Sequence, residues 1–154
     1  MTDFLRTVED EADTVSRFVD LLKNEQGMLT RGDVDGLAPI IQKKNTVANE
    51  LTLLAKQRNA LLAAQRLGPD RGGVDAWCAA HPASTKVSVA WSRILNLATE
   101  ARELNRVNGE LIKIRMQHNT QALESLLGAS QSLDLYGPDG QAASRSSRRI
   151  NDAA

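Results

Sequence analysis

The apolar positions in the first two segments of the chain recur at alternating steps of three and four residues, as on one face of an α-helix. A single polar residue, Gln26, interrupts the first segment near its end, and the glycine-containing link 31–36 follows. In the second segment Lys44 and Arg58 fall on the apolar face, where we expect their methylenes to cover the seam while their charges stay in water. So short a link predicts an antiparallel helical hairpin. The remaining seam positions are Leu5, Val8, Ala12, Val15, Val19, Leu22, Leu29, Leu37, Ile40, Val47, Leu51, Leu54 and Leu61.

A third, longer helix is predicted from about residue 86 to about residue 133, a length of roughly 70 Å. Asn105 and Asn108 lie on or beside its apolar face. Near Ile112 the apolar stripe moves by one position, which turns the face by about 100°. Because the hairpin helices are shorter than this helix, we expect its C-terminal part to expose an apolar binding surface. The shifted stripe continues through Met116, Asn119, Leu123, Leu126, Ser130 and Leu133.

A glycine-rich loop separates the hairpin from the third helix. Residues 67–73 end the second helix, and 74–80 are predicted to form two helical turns that stop at His81-Pro82. Trp77 is expected to seal one end of the hairpin. The predicted fold class is therefore all-α: an antiparallel hairpin plus a long C-terminal helix, in a three-helix bundle resembling a coiled coil. We predict a helical domain over 1–135 and a flexible, disordered tail over 136–154, which has little to bury.

The composition narrows the class of protein. Nineteen basic and nineteen acidic residues balance, which argues against nucleic acid as a partner, and aromatics make up only 3% of the chain, which suits helical layers. A single cysteine cannot form an internal disulfide, so a reducing compartment fits. No signal-peptide pattern opens the sequence and no run approaches the ~18 apolar residues of a membrane span. We expect a soluble, cytoplasmic protein that is not integral to a membrane.

No group of residues predicts catalysis, a cofactor or a metal. Cys78 and His81 have the spacing of two metal ligands, but His118 is the only other histidine and lies far along the chain. The stretches 68–73 and 137–140 lack the lysine of a phosphate-binding loop and are interpreted as turns. The arginines of the tail are interpreted as a solvated end. We therefore expect a protein that is not an enzyme.

Two features remain open on physical grounds alone. One concerns the asparagines Asn105, Asn108 and Asn119. They either fix the pairing of the bundle helices or form hydrogen bonds with the backbone of a partner helix, and the sequence favours neither interpretation. Tyr136, the only tyrosine, either folds back on the bundle end or anchors a partner.

Four segments together resemble the FlgN family of flagellar type III export chaperones. They are Glu25-Gln26 with Leu29, Leu104-Asn-x-x-Asn-Gly109 with Leu111-Ile112, Asn119-x-Gln121-Ala-Leu123 with Leu126, and Leu135-Tyr-Gly-Pro-Asp-Gly-Gln141. The likeness covers nearly the whole chain. The second and fourth segments in combination are its specific part, whereas the loop at 68–73 and the helix around Trp77 depart from the family pattern.

The resemblance implies a chaperone for the hook–filament junction proteins FlgK and FlgL, which prevents their premature assembly and delivers them to the export gate. It implies that the cargo's C-terminal helical regions bind the long helix, and that Tyr136 docks on the cytoplasmic domain of the gate protein FlhA. The export ATPase complex is a further implied partner. A self-associating structural coiled coil is the alternative. The implied cargo-binding residues are Asn105, Asn108, Ile112, Met116, Asn119, Leu123, Leu126 and Leu133.

Overall fold

The described residues of the chain form four α-helices. The structure, a computed structural model, describes residues 2–128, and no strand occurs among them. The helices are α1 (Asp3–Arg31), α2 (Leu37–Ala64), α3 (Asp70–Ala80) and α4 (Thr85–Gly128). The all-α prediction is confirmed, and α4 begins one residue before the predicted start. Three features of the prediction lie outside the described residues: Leu133, Tyr136 and the boundary at 135–136 between the helical domain and the tail.

The packing divides the chain into two compact units. The first unit comprises the residues up to Leu111, and the second begins at Ile112. The first unit therefore contains α1, α2, α3 and the N-terminal part of α4. The described part of the second unit is the last stretch of α4, which ends at Gly128.

Local signals in the sequence set the ends of the hairpin helices. Thr2 caps α1, because its hydroxyl accepts the amide of Leu5 at 3.1 Å. At the other end Gly32 takes the left-handed conformation, with φ 75°, and the next amide bonds back into the last turn of the helix. The same arrangement ends α2, although Arg66 occupies the left-handed position there, with φ 61°. Both helices therefore stop abruptly and leave short connections.

The main apolar core lies at the end of the bundle that holds α3. Trp77 of α3 is buried against Phe4, with ring centroids 4.8 Å apart, and stacks on His81 at 4.0 Å. The tryptophan therefore closes this end of the hairpin, as expected. Helix α3 begins at Asp70, four residues before the predicted helical turns. The buried residues of this core are Phe4, Val8, Ala12, Val15, Leu62, Val74, Trp77, Val87, Ala90, Trp91 and Ile94.

The polar positions of the seam differ from the prediction in two places. Glu25, not Gln26, is the buried polar residue near the end of α1. The expectation that Arg58 keeps its charge in water is wrong, because the residue is only 5% exposed and its guanidinium pairs with the buried carboxylate of Glu11. A buried acid on the facing helix is what allows this charge to leave water. Lys44 is half-buried and pairs with Glu25.

Candidate functional site

An apolar surface occupies the last described stretch of α4. Ile112 is 40% exposed, Met116 64%, Leu123 58% and Leu126 77%. Soluble proteins seldom leave so many large apolar side chains of one segment in water, and such surfaces commonly bind a partner. We call the stretch from Ile112 to Leu127 the exposed segment. Its exposed large apolar residues are Ile112, Ile114, Met116, Leu123, Leu126 and Leu127.

The asparagines implied as cargo-binding residues separate into two environments. Asn105 and Asn119 are exposed on α4. Asn108 is only 1% exposed and lies inside the first unit. A partner cannot reach this side chain without opening the bundle, so its assignment to the cargo surface is corrected. The structure instead supports the other interpretation, in which the amide fixes the pairing of the bundle helices.

Asn108 joins a buried polar cluster that connects α1, α2 and α4. Its Nδ2 atom donates to the backbone carbonyl of Leu22 and to Oε1 of Glu25, both at 2.9 Å. The same Glu25 oxygen accepts from Nζ of Lys44 at 2.9 Å. We call Glu25, Lys44 and Asn108 the polar triad. Each of the three long helices thus contributes one member.

A second polar cluster lies among the core residues and was missed by the sequence reasoning. Arg58 donates to Glu11 and, at 3.1 Å, to Asp70, and its guanidinium carbon lies 5.1 Å from the centre of the Trp91 ring. Burial raises the pKa of Glu11, although Arg58 opposes the shift, and Asp70 raises it further. The sequence did contain a signal for this pair: Arg58 falls on the apolar face of α2, and Glu11 lies next to an apolar-face position of α1. This cluster holds α3 against α2, because Asp70 also bonds to Asn59 of α2.

The residues considered for catalysis or metal binding show structural contacts. Nδ1 of His81 bonds to the carbonyl of Trp77 at 2.8 Å. Burial raises the pKa of the Cys78 thiol, as does Asp75, so the thiol has no activation toward a nucleophilic thiolate. Residues 2–128 contain no group of three or more histidine, cysteine and acidic side chains arranged to hold a metal ion. Among the same residues, no helix combines the length and the apolarity that crossing a membrane requires.

Comparison with known proteins finds one matching family. The family model described as "FlgN protein" matches residues 1–144. The "Flagella synthesis protein FlgN" of Proteus mirabilis is 26% identical over 144 residues, which cover 92% of this chain and 91% of the relative. The protein of the same name from Salmonella typhimurium strain LT2 is 30% identical over 141 residues, covering 90% of this chain and 85% of the relative. In Yersinia enterocolitica a third such protein is 48% identical over 52 residues, about a third of each chain. No solved structure gives a significant match.

Proposed function

Since this chain belongs to the FlgN family, whose relatives are flagella synthesis proteins, we propose that it is a cytoplasmic flagellar export chaperone. Its cargo would be the C-terminal helical regions of the hook–filament junction proteins FlgK and FlgL. The chaperone keeps these regions from assembling too early and delivers them to the export gate. The role requires binding and release, and we propose no enzymatic step in this chain.

The exposed segment is the single observation that carries this proposal. Leu123 and Leu126 lie three positions apart, and Met116 lies seven positions before Leu123, so these side chains recur at helical spacing. A surface of this kind fits the apolar face of an amphipathic helix, which is how helical segments commonly dock in grooves. Asn105 and Asn119 add amides that can bond to polar groups of the cargo. Leu133 is proposed as a further contact of the same stripe.

Docking on the export gate is assigned to Tyr136. The support is the resemblance of 135–141 to the family pattern, together with the enrichment of tyrosine in binding hot spots. We propose the cytoplasmic domain of FlhA as its partner, with the export ATPase complex as a further one. The substitution Tyr136→Ala should weaken the affinity for FlhA and leave cargo binding intact. Equal loss of both activities would contradict this division of roles.

Size-exclusion chromatography tests the cargo assignment. The full chain, mixed with the C-terminal segment of FlgK or of FlgL, should elute as a stable complex with either. If the chain co-elutes with neither segment, the cargo assignment is ruled out. The FlhA domain in a separate run tests the gate assignment independently.

The exposed segment also supports a second candidate, a structural coiled coil that self-associates through the same apolar residues. Light scattering over a dilution series distinguishes the two. A permanent oligomer that shows no affinity for the FlgK and FlgL segments would favour the structural protein. A chain whose mass changes when cargo is added would favour the chaperone.

A further inference from the structure

We infer that the polar triad is a positioning device that selects the register of α4 on the hairpin. Asn108 is its positioning residue, because its amide meets two acceptors of α1 that no apolar side chain at this position could satisfy. The triad therefore determines which residues of α4 face α1 within the first unit.

The other polar contacts between α1 and α4 specify the register weakly. Two exposed ion pairs cross this interface, Arg93 with Asp13 at 2.8 Å and Lys23 with Glu100 at 3.1 Å. Their side chains are about half exposed or more, and such pairs contribute roughly 0–1 kcal/mol. A slip of one heptad exchanges aliphatic side chains at some seam positions, for example Ile94 for Val87. It would also put Ser84 or Ala98 in the place of the buried Trp91, so the tryptophan opposes the slip at the end of the bundle that holds α3.

The polar triad does not tolerate that slip. Moving α4 by seven residues in one direction brings Ala101 to the position of Asn108, and Ala101 has no side-chain donor for Glu25. Moving it in the other direction brings Arg115, whose cation would face Lys44. Either slip removes the amide from two buried acceptors, and buried acceptors without donors are costly. The native register is therefore the one in which the Glu25 carboxylate accepts hydrogen bonds from both the amide of Asn108 and the ammonium group of Lys44.

The cost of this arrangement is visible in the structure. Oδ1 of Asn108 is buried and has no hydrogen-bond partner among the described residues. A leucine there would bury more apolar surface and leave no orphaned oxygen, while Lys44 would still neutralise Glu25. A buried asparagine in a helical seam characteristically reduces stability while fixing register.

The triad also connects two segments of the sequence that resemble the FlgN family. Glu25 and Asn108 lie 83 positions apart, and each belongs to a segment that carries the likeness to the FlgN family. Their hydrogen bond shows that the two segments form one contact inside the bundle. This selection of register does not rest on the proposed function.

Thiol cross-linking tests the register directly. In a Cys78→Ser background, Lys23→Cys is combined with Glu100→Cys for the native register, or with Arg93→Cys or Val107→Cys for the two slipped registers. A short bifunctional thiol reagent should link only the 23–100 pair in the parent chain. With Asn108→Leu added, the slipped products should rise roughly tenfold, the change that corresponds to about 1.4 kcal/mol.

The matched control is Asn96→Leu, the same change at an exposed position of α4, which should give no slipped product. If Asn108→Leu fails to fold, Glu25→Leu, Lys44→Met and Asn108→Leu are combined, so that no buried charge is orphaned. A folded leucine variant that links only the 23–100 pair, or a parent chain that yields slipped products, overturns the inference. Failure of the parent chain to bind cargo would bear only on the proposed function.

Discussion

The guanidinium of Arg58 donates to the carboxylate of Glu11 inside the bundle, where the two side chains are 6% and 7% exposed. The pair joins α1 to α2 among the apolar core residues, and Asp70 extends it to α3. A buried ion pair of this kind contributes little net stability over apolar residues of the same size, but it is costly to break. This asymmetry distinguishes it from the ion pairs on the surface.

Replacing Arg58 alone should be strongly destabilising. Arg58→Met leaves the Glu11 carboxylate buried without its cation, and we expect the free energy of unfolding to fall by about 3–5 kcal/mol. The double variant Glu11→Leu with Arg58→Met should recover most of that loss. Urea denaturation followed by circular dichroism measures both. Arg17→Met is the control, because Arg17 pairs with Glu50 at the surface and its loss should cost at most about 1 kcal/mol. A double variant less stable than Arg58→Met would contradict the prediction.

The raised pKa of Glu11 predicts a dependence of stability on pH. A raised pKa means that the folded state holds the proton more tightly than the unfolded state. The contribution of Glu11 to stability is therefore fully present below its ordinary value of 4.5, and is lost as pH rises through the higher folded value. Relative to Glu11→Gln, the native chain should lose stability as pH rises above 4.5. Urea midpoints of both chains between about pH 4 and pH 7 measure this difference, and a rise with pH would contradict it.

Gly73 of α3 should not tolerate a side chain. A Cβ atom at this residue would lie 1.7 Å from the carbonyl oxygen of Gly68, which is backbone and cannot move aside cheaply. We expect Gly73→Ala to lower the free energy of unfolding by about 1–3 kcal/mol. The neighbouring Gly72→Ala is the matched control, because a Cβ there meets nothing within 4 Å, and a helix prefers alanine to glycine by up to about 1 kcal/mol. Thermal melts should move in opposite directions, and equal shifts would contradict the prediction.

A charge on the exposed segment should weaken cargo binding. Leu123→Asp or Leu126→Asp would place a carboxylate in the proposed apolar interface, and we expect affinity for the FlgK segment to fall roughly tenfold or more. Isothermal titration calorimetry measures the change. Leu53→Asp on α2 is the matched control, because Leu53 is 60% exposed, close to the 58% of Leu123, and lies outside the proposed surface. Equal losses from Leu53→Asp and Leu123→Asp would place the cargo elsewhere.

The spacing of apolar residues predicted the long helices of this fold well, because that spacing is local: it involves residues only three or four positions apart in the sequence. The hairpin, the long α4 and the exposure of Ile112 and Met116 all follow from that spacing and from helix length. Polar seam positions were less predictable. Whether Arg58 reaches water or a buried acid depends on which residue of the facing helix lies opposite, and a single sequence does not contain that register.

Asn108 illustrates the same limit at the candidate site. Asn105, Asn108 and Asn119 share one helix and one residue type, yet only Asn108 lies opposite the carbonyl of Leu22 and the carboxylate of Glu25. Only the tertiary contacts distinguish the buried amide of Asn108, which selects the register, from the exposed amides of Asn105 and Asn119. The start of α3 at Asp70 was missed for a related reason, since its backbone amide is held by Asn59 of α2.

The placement of the tryptophans limits what intrinsic fluorescence can report. The chain has two, Trp77 and Trp91, and both are buried in the core that includes α3. Their emission will follow the melting of that core and the integrity of the Arg58 cluster. The exposed segment from Ile112 to Leu127 contains no tryptophan, tyrosine or phenylalanine, so a ligand that binds to it contacts no fluorescent side chain of that segment. Optical binding assays therefore need a label on the cargo or an introduced dye.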